Sequence, residues 1–154
     1  MANIVLTNAR VVFLDGSGTQ YDFSDHISSV SLATSHNIID VTPVAAGQET
    51  IYKEVIAGVG TNSVSFDFYQ DFANESVEEF FNGRPPYTVY PIRVGTKVNC
   101  RVRPKNEAIS ASNPEYRFSV LITDWTSLSA AVGALSTISV EWPISGAITK
   151  VITP

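Results

Sequence analysis

Residues 63–72 read Ser-Val-Ser-Phe-Asp-Phe-Tyr-Gln-Asp-Phe, and this stretch decides the fold class. Apolar and polar side chains alternate along it. One face carries Val64, Phe66, Phe68 and Phe72, and the other carries serine, aspartate and tyrosine. A period of two is typical of a β-strand with one buried face and one face in water. The stretch therefore predicts a strand that covers one side of a core.

A helix signal follows shortly after this strand. Ser76 and Glu79 have the spacing of a capping box, and Gly83 is typical of a helix end. Most of the remaining chain alternates in short runs bounded by turns, which predicts about eight strands in all, including residues 87–92 and 97–102. Many strands and one helix indicate a mainly β protein: a β-sandwich or partly closed barrel with one flanking α-helix.

Alternation is lost between residues 43 and 62, where glycine and alanine are frequent. A segment of this length without its own element is uncommon in a compact domain and is usually functional. The chain length of 154 residues suits one domain with a sizeable core. We therefore expect a single domain over residues 1–154, with a long extended loop at about residues 43–62.

Cysteine usage and hydropathy restrict where the chain works. Cys100 is the only cysteine, so no internal disulfide can form. No run approaches the roughly 18–20 apolar residues that a membrane span requires. The first residues lack the basic and apolar regions of a signal peptide. We expect synthesis in a reducing cytoplasm and no association with a membrane.

The net charge of −5 conceals an uneven distribution along the chain. Residues 1–83 carry eleven acidic and two basic side chains, whereas residues 84–154 carry four acidic and eight basic ones. Acidic and basic regions can promote head-to-tail association into rings or filaments. Alternatively, the strands mix these charges on the folded surface, since charge statistics do not determine a fold. Both readings remain open at this point.

Three predicted strands share an unusual outer face. Opposite their apolar sides they carry short hydroxyls and a few acids, with no lysine or arginine. These residues are Ser29, Ser31, Ser63, Ser65, Asp67, Thr137, Ser139 and Glu141. Exposed strand faces often carry long charged side chains, so a smooth, weakly acidic face is notable. Serine and threonine either merely tolerate a wet pleated surface here, or they form a surface with a function.

Catalytic and metal-binding patterns are poorly represented. Asp25 and His26 are sequence neighbours, so their side chains would diverge on a strand, and no Gly-x-Ser-x-Gly elbow is present. Two histidines and one cysteine cannot form a closed zinc site without distant carboxylates. Cys100 lies in an alternating strand, where an inert packed thiol is the more common case. We expect no enzyme activity, no metal and no cofactor.

Sequence-specific recognition of nucleic acid is also weakly indicated. Five basic residues fall between positions 93 and 105, but they lack the interleaved aromatic residues of a stacking platform. The acidic chain as a whole opposes phosphate binding.

Five stretches carry a resemblance to a known family. They are Asp-Phe-Ser-Asp-His-Ile-Ser-Ser-Val at 22–30, Val-Ser-Phe-Asp-Phe-Tyr-Gln-Asp-Phe at 64–72, Val-Arg-Pro at 102–104, Ile-Ser-Ala-Ser-Asn-Pro-Glu-Tyr at 109–116 and Ile-Ser-Val-Glu-Trp at 138–142. Together they span nearly the whole chain. With them the chain resembles the major tail tube proteins of long, non-contractile (siphovirus-type) bacteriophage tails. The Pro85-Pro86 pair departs from that pattern.

The resemblance implies a structural virion protein. Tail tube proteins of this kind are β-sandwiches with one flanking helix that self-assemble into stacked, hexameric rings around a hollow channel for DNA ejection into the host. The implied partners are further copies of the chain, the tape measure protein, and the tail terminator and tip proteins. DNA would pass without sequence-specific binding. The implied location is the virion tail, after synthesis in the host bacterial cytoplasm.

The resemblance also implies roles for two groups of residues. The eight outer-face residues named above would line the lumen, because a wall that repels phosphate and offers few cations lets DNA slide past. The unpatterned loop would bridge adjacent rings. Its candidate inter-ring residues are Gly47, Gln48, Glu49, Tyr52, Lys53 and Glu54.

Three alternatives remain open. A tail terminator-type ring would cap a tube rather than extend it. A β-sandwich carbohydrate-binding or adhesin module would use aromatic side chains as a sugar platform. Its candidate aromatic residues are Tyr21, Tyr52, Tyr87, Tyr90, Trp125 and Trp142. A hydrolase would depend on Asp25 or His26.

Overall fold

The computed structural model describes residues 8–42, 52–72, 77–82 and 92–154. Eight strands lie within these ranges, together with one short α-helix and one 3-10 turn. The strands are β1 (Arg10–Leu14), β2 (Gln20–Asp22), β3 (Ile27–Asp40), β4 (Val55–Tyr69), β5 (Lys97–Arg103), β6 (Glu115–Leu121), β7 (Thr137–Ile144) and β8 (Thr149–Val151). The helix α1 is Val77–Asn82, and the 3-10 turn is Ser24–His26.

All eight strands belong to one antiparallel sheet with the order β2-β1-β5-β6-β7-β4-β3, and β8 pairs with β6. The pairing of β6 with β7 consists of one registered pair, Val120 with Ile144. This narrow junction divides the sheet into a half formed by β2, β1, β5, β6 and β8 and a half formed by β7, β4 and β3. Phe13 in the first half contacts Phe66 in the second, with ring centroids 5.7 Å apart. The two halves therefore pack on each other.

The prediction of a mainly β protein is confirmed. The predicted β-sandwich or partly closed barrel is wrong, because the strands form one open sheet. The sheet is continuous through the β6–β7 junction, and it does not close, since β2 and β3 end the strand order. Alternation along single strands reports only which face is buried. It carries no information on whether neighbouring strands join into one sheet or two.

The side of β4 that the alternation predicts to be buried does lie in the core, as far as Phe68. Val64, Phe66 and Phe68 of β4 are almost fully buried, and Trp142 of β7 lies among them with no exposed surface. The Trp142 indole nitrogen donates to the Asp124 carbonyl at 3.0 Å, so its one polar group is satisfied. Aromatic rings from both sheet halves thus fill one shared core.

The predicted position of Phe72 in this core is wrong. Strand β4 ends at Tyr69, and Phe72 is 62% exposed. The strand ends at Gln70, which bonds to the 127–136 loop instead of a neighbouring strand. Its side-chain Nε2 donates to the Ser127 carbonyl at 2.5 Å, and its backbone nitrogen donates to the Ser136 carbonyl at 3.0 Å. These bonds tie the chain to the 127–136 loop, so the alternation no longer applies beyond residue 69.

The structure does not support a separate flanking helix. Helix α1 has only six residues, and its Val77, Phe80 and Phe81 are buried. The Phe81 ring lies 4.8 Å from that of Trp125 and 5.7 Å from that of Phe13. The segment therefore serves as a piece of the core, because one and a half turns cannot form an independent layer. The capping residues Ser76 and Gly83 lie outside the described ranges.

The predicted loop at residues 43–62 needs correction in its second half. Residues 55–62 belong to β4 and pair with β3 as far as Val55 opposite Asp40, with one shift of register between His36 and Ile38. Pairing of β4 with β7 reaches only Asn62 opposite Ile144. Beyond that point, within the described residues, the hairpin has two strands. We call residues 36–40 and 55–60 the arm.

Two glycines explain why the sequence pattern does not predict the strand in the arm. Gly58 and Gly60 interrupt the alternation, yet both are strand residues. A Cβ atom at Gly60 would lie 2.9 Å from Cε1 of the His36 ring, which packs across that position. Glycine at this position therefore lets the His36 ring approach the backbone closely, and it does not mark a turn. Residues 43–51 lie outside the described ranges, as do Pro85-Pro86 and residues 87–91 of a predicted strand.

The packing of Phe81 gives a test of the helical segment. Phe81→Ala should lower the free energy of unfolding by about 3–5 kcal/mol, because it removes a fully buried ring from the core. Leu128→Ala, at a side chain that is 69% exposed, should change it by less than about 0.5 kcal/mol. Denaturant unfolding measures both. Equal effects of the two substitutions would show that α1 is not part of the core.

Candidate functional site

The register brings the eight predicted outer-face residues together on one surface. Strands β3, β4 and β7 are neighbours, so Ser29, Asp67 and Ser139 form one row across the sheet. The next row consists of Ser31, Ser65 and Glu141. Ser63 lies opposite Ala33 and Pro143, and Thr137 lies opposite Tyr69. We call this surface the polar face.

Asp67 is the centre of a hydrogen-bonded group on the polar face. The Ser139 hydroxyl donates to one carboxylate oxygen of Asp67 at 2.5 Å, and the Ser29 hydroxyl donates to the other at 2.5 Å. Hydrogen bonds from Ser139 and then Ser29 lower the pKa of Asp67, against a smaller opposing effect of burial. The group therefore holds a fixed, ionised carboxylate that links three strands.

The polar face extends further than the sequence analysis predicted. The Ser35 hydroxyl lies 2.8 Å from the Thr61 hydroxyl, and the two residues are register partners. The predicted loop at residues 43–62 includes Thr61, so the sequence analysis does not place this residue on the polar face. The available signal was the spacing: Thr61 continues the series of Ser63, Ser65 and Asp67 by one step of two residues.

The charge on these three strands has one sign. Strands β3, β4 and β7 contain no lysine or arginine, whereas their outward side chains include the carboxylates of Asp67 and Glu141. Most remaining side chains on the face are short hydroxyls. The polar face is consequently a smooth surface that repels polyanions weakly and offers no cation to hold them.

The predicted inter-ring residues fall into two groups. Gly47, Gln48 and Glu49 lie outside the described residues. Tyr52, Lys53 and Glu54 precede β4 at the end of the arm. Tyr52 is 80% exposed, the Lys53 ammonium lies 3.9 Å from an Asp40 carboxylate oxygen, and the Glu54 backbone nitrogen donates to the Thr42 hydroxyl at 2.9 Å.

The arm itself presents apolar side chains to solvent. Its exposed large hydrophobic residues are Ile38, Ile39, Val55, Ile56 and Val59. Ile38 and Val59 are each 73% exposed. Single exposed apolar residues are ordinary, but five on one short ribbon, on both of its faces, are typical of a segment that another molecule covers. A protruding two-stranded ribbon is also only marginally stable by itself.

The residues considered for catalysis do not come together. Nε2 of His26 lies 3.1 Å from a carboxylate oxygen of Asp71 rather than at its neighbour Asp25. Cys100 is fully buried in the core, and burial raises the pKa of its thiol. Within the described ranges, no group of three or more histidine, cysteine and acidic side chains could hold a metal ion. None of the helices there has the length and hydropathy to cross a membrane.

Solved structures with a similar fold come from phage-tail-like particles. One is a chain in the virion of a native gene transfer agent (GTA) particle, with 13% identity and a TM-score of 0.55, covering 92% of this chain and 94% of that one. A second comes from the tail of an empty GTA particle with C6 symmetry, with 15% identity, a TM-score of 0.53 and coverage of 91% and 93%. A third comes from the six-fold symmetrised baseplate of the anti-feeding prophage, with 10% identity, a TM-score of 0.55 and coverage of 99% and 98%.

At these identities the likeness shows the fold. It covers nearly the full length of both chains in each case, so the whole chain has a fold found in tail and baseplate particles. No protein-family model and no curated protein sequence matches the chain.

The hydrogen bonds of Asp67 predict a pH dependence of stability. Because the pKa of Asp67 is lowered on folding, its carboxylate stabilises the fold above about pH 4, the ordinary aspartate value, and this contribution is lost as pH falls through the folded pKa. Asp67→Asn should therefore reduce the free energy of unfolding by roughly 1 kcal/mol at pH 7, and the gap to wild type should narrow below about pH 4.

Asp25→Asn is the matched control, because Asp25 is exposed and makes no side-chain hydrogen bond within the described residues. Urea unfolding between pH 3 and pH 7 measures all three proteins. A gap between wild type and the Asp67 variant that stays constant over this range would contradict the assigned role of the carboxylate.

Proposed function

We propose that this chain is the tube subunit of a phage tail or of a phage-derived tail particle. In this proposal it forms stacked rings, six subunits each, around a channel through which DNA passes into the host cell. The observation that carries the proposal is the cation-free polar face on β3, β4 and β7. The fold shared with chains of six-fold symmetric tail and baseplate particles supports it.

The polar face has the chemistry that a DNA channel needs. A phosphate backbone binds proteins mainly through lysine and arginine, with release of counterions. A wall without these side chains avoids such binding, and ionised Asp67 and Glu141 add weak repulsion. Serine and threonine hydroxyls keep the wall wetted and leave more room than long side chains do. DNA would therefore pass without sequence-specific contacts.

Assembly would use the two features that a monomer leaves exposed. Strand β3 is an edge strand, and free edges invite pairing with another chain. Pairing between subunits around a ring would satisfy these edges and close a barrel that one chain leaves open. The apolar arm would be buried against a neighbouring subunit or ring. Contacts of this heterologous kind generate closed rings or continuing filaments.

The remaining expectations follow from the same assignment. The chain would act without catalysis and without a cofactor, in the virion tail. Its partners would be further copies of itself, the tape measure protein, and the terminator and tip proteins at the tube ends. A terminator-type ring differs from a tube subunit only in stopping growth, and the assembly experiment below separates the two.

A sugar-binding role has less support. Trp142 is fully buried, and Tyr21 packs against Phe80 with ring centroids 4.8 Å apart. Trp125 packs on Phe68 and Phe81 in the core cluster. These three rings are used in packing. Of the other candidates, Tyr52 is exposed next to the arm, and Tyr87 and Tyr90 lie outside the described residues.

Electron microscopy of the purified protein tests self-assembly. Wild-type protein should form rings and tubes under crowding or high protein concentration, and unlimited tube growth would exclude a terminator. The double variant Ile38→Ser/Val59→Ser should remain folded and lose tube formation, because it removes exposed apolar surface from the arm. Ile152→Ser, at a 48% exposed site outside the arm, is the control and should assemble normally. A wild-type protein that remains monomeric under all conditions would overturn the proposal.

A cation placed on the polar face tests the channel. Ser65→Lys should allow tube assembly but reduce DNA delivery by particles that carry the variant, because the new ammonium groups form a repeated ring of phosphate contacts. Ala130→Lys, at an exposed position of the 127–136 loop outside both outer faces, adds the same charge elsewhere and should leave delivery unchanged. Plaque or gene-transfer titres at equal particle number provide the measurement. Equal titres for both variants would argue against a polar face that lines the channel.

A further inference from the structure

The second sheet half presents a basic outer face, opposite in sign to the polar face. The outward side chains of β1, β5 and β6 include four arginines and one lysine. They are Arg10, Lys97, Arg101, Arg103 and Arg117. These five basic side chains therefore lie on the outer face of one half of the sheet, whereas the outer face of β3, β4 and β7 carries none.

Register places these arginines directly opposite one another. Arg101 of β5 is the partner of Arg117 on β6, and Arg10 of β1 is the partner of Arg103 on β5. Like charges directly opposite on neighbouring strands are destabilising. The monomer therefore carries an unfavourable arrangement of charge on this face.

The carboxylates nearby neutralise the cluster only in part. Both oxygens of the buried Glu115 side chain are occupied: Arg103 donates to one at 2.6 Å and 3.2 Å, and Arg117 donates to the other at 2.7 Å. The Arg10 guanidinium lies 3.6 Å from Asp22. Arg101, by contrast, has no ion pair or side-chain hydrogen bond among the residues that the structure describes.

Arg101 lines a small cavity of about 70 Å³ between the strands. The other lining residues are Arg10, Val12, Gln20, Arg103 and Glu115. Three arginines and one glutamine thus line a space next to Glu115, whose carboxylate is already bound on both oxygens. A planar guanidinium is suited to bidentate hydrogen bonding with a carboxylate. The size of the cavity fits one such group.

We propose that this arginine pocket binds an aspartate or glutamate side chain of a second copy of the chain. The inference rests on the proposed function, since a repeating assembly brings the basic face of one subunit near acidic surface of another. Charge complementarity supports this occupant: residues 1–83 supply eleven acidic side chains against two basic ones. A nucleic acid fits less well, because Glu115 and Asp22 interrupt the cationic surface and the cavity admits one small group.

Arg101 variants test the pocket. Arg101→Glu and Arg101→Gln should each raise the protein concentration needed for tube formation by at least about tenfold, because both remove the guanidinium from an interface ion pair. Their melting temperatures should equal or exceed that of wild type, because the like-charge contact with Arg117 is removed. Lys97→Glu, on the same face of β5 but outside the pocket, should assemble within about twofold of wild type.

Light scattering and electron microscopy measure assembly, and calorimetry confirms folding. Normal assembly of both Arg101 variants would overturn the proposal that the pocket binds a carboxylate of a second copy. It would leave the proposed function intact. Equal loss in Lys97→Glu would overturn it as well, because general surface charge would then explain the effect. Failure of wild-type protein to assemble would instead overturn the proposed function and this inference with it. A gel-shift assay with duplex DNA is the last experiment. If wild-type protein binds DNA, and Arg101→Glu loses this binding but assembles normally, the pocket binds phosphate instead.

Discussion

Aromatic packing around β4 is the constraint on which the rest of the structure depends. Phe66 packs against Phe13 of the other sheet half, and Phe81 of α1 contacts both Phe68 and Phe13, so these contacts join the two halves. Trp142 packs on Phe66 and Phe68 within their own half. The β6–β7 junction has one registered pair, so backbone hydrogen bonding alone holds the halves together weakly at that point. Because successive side chains alternate, burial of the phenylalanines fixes the outward direction of Ser65 and Asp67.

This constraint gives the chain two outer faces of different chemistry. The face on β3, β4 and β7 has hydroxyls and carboxylates without cations, and Asp67 links its three strands. The face on β1, β5 and β6 carries arginines that are only partly neutralised by Glu115. An arm with exposed isoleucines and valines completes the set of surfaces. The Asp67 hydrogen bonds already stabilise the monomer. In the assembly that we propose, each of the three surfaces would also contact DNA or another subunit.

The sequence predicted the strands of the core and the residues of the polar face, because period-two alternation is a local signal. It missed what depends on distant contacts. Gly58 and Gly60 suggested a loop, but both lie in β4, where the His36 ring packs close to Gly60. Phe72 continues the alternation in the sequence, but the strand ends at Tyr69 because Gln70 forms hydrogen bonds with the 127–136 loop. The arginine pocket was invisible because its members come from β1, β2, β5 and β6.

We propose that the face opposite Phe66 and Phe68 lines a channel, and every other role proposed for the chain depends on this orientation. A cryo-electron microscopy reconstruction of tubes formed by the wild-type protein, at a resolution that shows side chains, tests it most directly. We expect Ser29, Asp67 and Ser139 on the inner wall and Arg101 at a contact between subunits. A tube with the arginine face towards the lumen, or with the polar face buried between subunits, would contradict it.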